Sequence, residues 1–448
     1  TLSLIDSMFV AEESLDAKER AEKFVELICK TKKKGNSVYC VACGTSFNSA
    51  KTGAVFFDAV AGIHIEAMLP GDFRSQVMNS VREGDLIVGI SQSGETKDLV
   101  DILNQIKDSG VKTVNAIIVN NVNSTLALEK SDVYIPLFCG AEVAVPATKS
   151  FMNQMALLYI LAIMTGERLG KDVSEHKNRV RKIPELISSS FNISKKDIDA
   201  VSENLYLEPS IHILATGMYG IAREGALKVR EVVLNHTEGY EATEFKHGPN
   251  TILGINTVFG IHSVRALLKK FSDALSNVDS SSFTKLYKAV SDYAFADIEP
   301  KGLNEEERKM FDVIFKDHNF FDTLYSNYPL VFITGPSERD VNLTISQINT
   351  HKIRGANIYV IAEENKLLND ACTKAVVVRK GVEYKSGYIK LPKTGDSLLT
   401  FFSSTVALQL LALNMSIKKA AFLDRIEILE HGVHPDSPKN VSKSITVD

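Results

Sequence analysis

Short apolar runs alternate with longer segments whose apolar positions recur every three to four residues, first over residues 37–166 and again from residue 210. That alternation predicts buried parallel strands covered by helices. In the first stretch residues 37–42, 63–69, 86–90, 113–119 and 133–137 read as strands. Helices are expected over 45–61 and 148–165, with others starting near Glu95 and Ser124. The second stretch opens on Ser210-Ile-His-Ile-Leu-Ala-Thr-Gly217, an echo of Ser37-Val-Tyr-Cys-Val-Ala-Cys-Gly44. Its later strands are expected at 330–334, 357–362 and 375–379, its helices at 338–354 and 396–414. The echo points to an internal duplication.

The fold class that follows is α/β, with two doubly wound parallel-sheet units and a helical insertion in the second. The expected divisions are a helical segment over 1–36, a first unit over 37–166 and a polar helical linker over 167–208. A second unit follows over 209–430, interrupted at 263–328 by a helical lobe with a Ser280-Ser281-Ser282 patch, and a polar tail closes the chain at 431–448.

Composition narrows the function. The chain has 448 residues and a net charge of −4, from 51 Lys plus Arg against 55 Asp plus Glu. Without a basic excess, no nucleic-acid partner is expected. At 44% apolar it reads as globular. The longest unbroken apolar run, residues 155–164, is half of the ~20 residues that span a bilayer, so no membrane partner is expected either. Five cysteines and no visible secretory signal suit a reducing, cytoplasmic setting. Cys40 and Cys43 form a C-x-x-C without a second ligand pair at zinc spacing, and Cys29 sits in a Lys-rich helix. All three read as structural, with no metal and no cofactor expected.

Two loops of the first unit read as anion cradles. Cys43-Gly44-Thr45-Ser46 follows the first strand and Ser91-Gln92-Ser93-Gly94-Glu95-Thr96 the third, each opening a helix. Helix N-termini offer unpaired N–H groups, and hydroxyls add neutral donors. Thr45, Ser46, Ser91, Gln92, Ser93 and Thr96 are the expected phosphate ligands. Neither loop has a Walker lysine or a G-x-G-x-x-G pattern, which favours a small phosphorylated molecule over a nucleotide. In the second unit Glu224, Lys228 and Glu231 fall at i, i+4 and i+7, on one helix face. Aldose–ketose isomerisation needs a carboxylate beside two adjacent carbons, ring opening suits a histidine, and a lysine can hold a carbonyl as an iminium.

Ser91 to Thr96 resembles the signature of the sugar isomerase (SIS) domain, which binds phosphosugars. Glu224-Gly-Ala-Leu-Lys228-Val-Arg-Glu231, Glu244-Phe-Lys-His247-Gly248-Pro249 and the tail from Pro438 to Asp448 resemble the isomerase part of the glutamine–fructose-6-phosphate aminotransferases. The resemblance implies Glu231 as the proton-transfer base, His247 as the ring-opening residue, Lys443 as the Schiff-base lysine and Lys228 as an electrostatic helper. It also implies that Val145, Glu224 and Ser442 line the substrate, and that the protein is a homodimer, with His247 shared across the interface. Two departures stand out. Val145-Pro146-Ala147-Thr148-Lys149 replaces the usual Val-Ala-Ser-Thr-Lys, and no glutaminase domain fits in the 36 residues before the first strand. Ammonia is then expected from solution, from a separate glutaminase subunit or from a lost domain. The expected reaction is fructose 6-phosphate plus ammonia to glucosamine 6-phosphate. The alternatives are deamination or deglycation of an amino-sugar phosphate, or a non-catalytic phosphosugar sensor.

Overall fold

The computed structural model describes residues 1, 4–6, 15–253, 261–276, 278–315, 327–378 and 382–435. Its frame is two parallel sheets. The first holds β1 (Val38–Ala42), β2 (Glu66–Met68), β3 (Leu86–Ser91), β4 (Val114–Val119) and β5 (Val133–Pro136), in the order β2-β1-β3-β4-β5. The second holds β6 (Ser210–Thr216), β7 (His236–Glu241), β8 (Tyr328–Thr334), β9 (Ala356–Glu363) and β10 (Ser386–Leu391), in the order β7-β6-β8-β9-β10. Counted from its own first strand, each unit runs 2-1-3-4-5, so the duplication is one of topology. In such sheets ligands bind in the crevice at the carboxyl ends of the first and third strands, where the order reverses. The two hydroxyl-rich loops leave β1 and β3.

Helices of the first unit are α1 (Leu15–Lys33), α2 (Gly44–Phe56), α3 (Pro70–Gln76), α4 (Lys97–Asp108), α5 (Thr125–Leu128) and α6 (Lys149–Arg168). A π turn, Phe57–Ala61, prolongs α2. α7 (Ser174–Arg181) and α8 (Ile183–Leu205) lead to α9 (Tyr219–Val232). Then come α10 (Ile261–Leu275), α11 (Ser280–Ala296), α12 (Glu305–Phe315), α13 (Glu338–Lys352), α14 (Lys366–Thr373) and α15 (Ser397–Arg425). α11 and α12 fall within the expected inserted lobe and α10 begins two residues before it; Leu286, Ala289 and Phe311 of α11 and α12 form a small core of their own.

Strand alternation sends successive side chains to opposite faces. Val38, Cys40 and Ala42 of β1 and Ile211, Ile213 and Ala215 of β6 point into one shared core with α2, α6, α8, α9 and α15. Tyr39 and Val41 face a second cluster with α3 and α4, and Leu214 a third with α13 and α14. The units therefore stand back to back, with α2 against α9. A Cβ at Gly220 would lie 2.7 Å from the Asn48 carbonyl oxygen, so glycine is what lets these helices approach. By length and composition α15 is apolar enough to cross a membrane, but 72% of its most apolar window is buried in the fold.

Two strands differ from expectation. Residues 375–378 are irregular, and the fifth strand of the second sheet is β10. β7 was not foreseen either, because His-Thr-Glu-Gly-Tyr-Glu carries no apolar run. Both are edge strands, whose solvent-facing polar residues dilute the pattern that marks buried ones.

Candidate active site

The contact of α2 with α9 assembles a polar cluster from both units. Glu224 Oε1 accepts from Thr45 Oγ1 at 3.1 Å and Oε2 from Asn48 Nδ2 at 2.8 Å. Lys228 Nζ lies 3.3 Å from Glu224 and 2.6 Å from Glu231, and donates to Thr45 Oγ1 at 3.2 Å. Glu224 and Lys228 are closed off, with side-chain exposures of 3% and 2%, whereas Glu231 keeps 20%. Of the two carboxylates, Glu231 is the one a ligand can reach. Burial opposes charge on Lys228, but the carboxylates of Glu224 and Glu231 outweigh it and raise its pKa. Burial raises Glu231 above the ordinary carboxylate range, and the Lys228 ammonium offsets part of that shift. A carboxylate raised in this way is the better proton acceptor.

The loop after β3 is built around Gly94. Its φ is +71°, and a Cβ there would lie 1.9 Å from Ser124 Oγ. Ser91 is buried, its Oγ 2.8 Å from Thr96 Oγ1 and accepting from Gly94 N at 2.9 Å. Ser93 is exposed and caps Glu95 N at 3.2 Å. Gln92 lines an open 570 Å³ cavity with Asn120, Phe138 and Glu142. In the neighbouring loop Ser46 is buried and accepts from Gln154 Nε2 at 3.0 Å. Thr45 thus faces the acid–lysine cluster, and Ser91 and Thr96 hold the loop in shape.

The structure does not bring every expected residue here. His247 is exposed beyond β7, two residues after Phe245, whose ring is buried on the face of the second sheet opposite α9. Val145 is half-buried between β5 and α6, where Glu142 accepts from Thr148 N and Lys149 N at 2.7 and 2.9 Å. Ser442 and Lys443 lie outside the described residues. Pro435, the last described residue before them, lines a 510 Å³ largely apolar cavity with Lys228, Val232, Met152 and Leu410. Sequence reasoning missed Asn48, Glu142 and Gln154. A polar residue inside a helix's apolar face was the available signal for Asn48 and Gln154. Among the described residues no cluster of His, Cys, Asp and Glu has the makings of a metal site. Burial pushes the Cys40 thiol up to about 12.

The hydroxyl-bearing start of α2 and the acid–lysine face of α9 thus meet where the two units join. Residues 32–164 match the model of the SIS domain family, and the chain carries that domain there. Over 223 residues it is 34% identical to the isomerising glutamine–fructose-6-phosphate aminotransferase of Aquifex aeolicus, covering 49% of this chain and 36% of that one. With the Methanosarcina acetivorans enzyme of the same name it shares 35% over 248 residues, covering 54% and 39%. The matched stretches are thus less than half the length of these relatives. The C-terminal domain of glucosamine-fructose-6-phosphate aminotransferase from Francisella tularensis has the same fold, with a TM-score of 0.66, 23% identity and coverage of 94% and 92%. Glucosamine-6-phosphate deaminase from Thermotoga maritima is similar at a TM-score of 0.55, with 18% identity and coverage of 98% and 96%.

Proposed function

We propose that the chain is the isomerase part of an amino-sugar phosphate synthase, converting fructose 6-phosphate and ammonia to glucosamine 6-phosphate and water. The observation that carries this reading is the reachable, pKa-raised carboxylate of Glu231, 2.6 Å from the buried Lys228 ammonium. A sugar held by its phosphate at Ser91–Thr96 and reaching toward α9 presents C1 and C2 to Glu231. Lys443, on the tail beyond Pro435, condenses with the open-chain C2 carbonyl and releases water. Ammonia then displaces the lysine. Glu231 takes the proton from C1 and returns it to C2, while Lys228 stabilises the electron-rich intermediate, itself held charged by Glu224. His247 opens the ring from a second copy of the chain, which fits its exposure and its distance in the fold from α9. Nitrogen comes from free ammonia or from a glutaminase.

The test is turnover of fructose 6-phosphate with and without ammonia, run also from glucosamine 6-phosphate, with solvent deuterium entry at C2 as the direct readout. Exchange and ammonia-dependent amination support the reading. Turnover from the amino sugar alone reassigns the chain as a deaminase, and no exchange with any sugar phosphate makes it a sensor.

A further inference from the structure

On the face of α9 next to the acid–lysine cluster, Arg223 and Arg230 stand two turns apart at i and i+7. They border a 230 Å³ cavity closed by Gly44, Asn48, Leu227, Glu238 and Gly239. Arg223 donates to Asn48 Oδ1 at 3.3 Å and Tyr219 Oη at 3.2 Å, and Arg230 to the Thr237 carbonyl at 2.5 Å. All three acceptors are neutral, and neither guanidinium has a carboxylate within ion-pair distance among the described residues, Arg230 acting on Glu231 only through its longer-range field. Glu238 does not supply one. Gly239 packs against the α9 backbone at Ala222, so strand alternation turns Glu238 to the other face, where its carboxylate lies 3.7 Å from His236. Lys51, 5.6 Å from the Phe47 ring that Arg223 also covers at 5.2 Å, adds to the positive field. Arg74 of the first unit, by contrast, is paired with both Asp98 and Asp101. Two unpaired guanidinium forks around a polar hollow are the complement of a phosphoryl dianion.

We infer that this cavity is a second anion site, separate from the hydroxyl loop after β3, which takes inorganic phosphate or a phosphate monoester as an effector. Asn48 connects it to the cluster: its Oδ1 accepts from Arg223 while its Nδ2 donates to Glu224. An anion that draws Arg223 into the cavity loosens Asn48, and with it the carboxylate that holds Lys228. This site goes beyond the proposed reaction and does not require it.

The experiment uses the full chain carrying Ser93→Ala and Thr96→Ala, which disables the hydroxyl loop, titrated calorimetrically with inorganic phosphate and separately with fructose 6-phosphate. Binding of either that falls at least tenfold on adding Arg223→Met and Arg230→Met supports the site, and the better ligand names its source. Should the combined variant melt early, the exposed Arg230→Gln alone serves, with the same tenfold loss expected. The inference is overturned if neither ligand binds the loop-disabled chain, or if binding is indifferent to the arginines. It is equally overturned if the arginine variants change the sedimentation coefficient without changing phosphate binding, because a second copy would then occupy the cavity. Sugar turnover enters none of these readouts, so failure here and failure of the proposed reaction remain distinguishable.

Discussion

The two units share a strand order and a strand–glycine–helix opening, but they are equipped differently at equivalent places. The first helix of the first unit, α2, offers hydroxyls and an amide, Thr45, Ser46 and Asn48, while that of the second, α9, offers Glu224, Lys228 and Glu231. After the third strand the contrast repeats. Thr334-Gly335-Pro336-Ser337 puts a glycine and a proline where Ser91-Gln92-Ser93-Gly94 has an amide and a hydroxyl, while the exposed serine of each loop accepts from a backbone N–H, Ser93 from Glu95 N and Ser337 from Asp340 N. Gly335 also packs on Ser397. The difference teaches that two units of one topology carry different chemistry at equivalent switch points, hydroxyls and amides in the first and carboxylates with a lysine in the second, which on the proposed function divides anion holding from proton transfer. Because α2 and α9 meet back to back, the hydroxyl of Thr45 and the acid–lysine stripe share one place.

That division is most exposed to test at Glu231. Glu231→Gln keeps the shape but removes the proton acceptor, so exchange at C2 should fall by at least ~10²-fold with sugar-phosphate affinity within about threefold of wild type. An equal loss of affinity would mean that the second unit also holds the substrate. Glu224 should behave differently although it is on the same helix. Truncating it to Ala leaves the buried Lys228 and the Thr45 and Asn48 donors without their acceptor, a change of ~3–5 kcal/mol in folding stability. Denaturant unfolding measures it. A stable Glu224→Ala protein with lost activity would move Glu224 from scaffold to chemistry.

The first unit is tested at Ser93. Its hydroxyl is exposed in the loop that Gly94 shapes, and one charge-assisted hydrogen bond is worth ~1.5–3 kcal/mol. Ser93→Ala should weaken sugar-phosphate binding roughly ten- to a hundredfold and leave the unphosphorylated hexose unaffected. Calorimetry with both sugars checks this. Equal losses for the two would put the phosphate elsewhere.

How much of this was legible follows from what a linear pattern can record. Central strands such as β1, β3 and β8 are buried on both faces and appear as apolar runs; edge strands β7 and β10 are half solvent and do not. The Glu224–Lys228–Glu231 stripe was visible because helical spacing alone places those residues together. Thr45 is visible as a loop hydroxyl, but its bonds to Glu224 and Lys228 cross 179 and 183 residues of sequence. No local pattern encodes a partner so remote. For the same reason His247 and Val145 carried a family resemblance without a position, and only the fold shows His247 beyond the sheet face opposite α9.

The smallest expected effect separates the units at the amino ends of their sheets. In the first, buried Asp85 accepts from Ser37 N at 2.9 Å, Asn36 Nδ2 at 3.1 Å and Arg82 N at 2.8 Å, so its charge is well solvated by the protein. In the second, Glu208 precedes β6 with its carboxyl tucked in and no donor to it among the described residues. Burial pushes it up to about 7, with Lys385 pulling weakly the other way. A carboxyl whose folded pKa lies above its unfolded one is stabilising when protonated. Its contribution is complete below the unfolded value near 4.5 and is lost as pH rises through about 7. Between pH 5 and pH 8 the melting temperature should therefore fall by about 1–3 °C more in wild type than in Glu208→Gln, which stays neutral throughout. Asp85→Asn, which takes a carboxylate away from three donors, is the control at the other sheet edge. Scanning calorimetry of the three proteins across that range decides it, and a Glu208→Gln difference that is constant with pH would show that Glu208 is ionised in the fold and that the two sheet edges are equivalent after all.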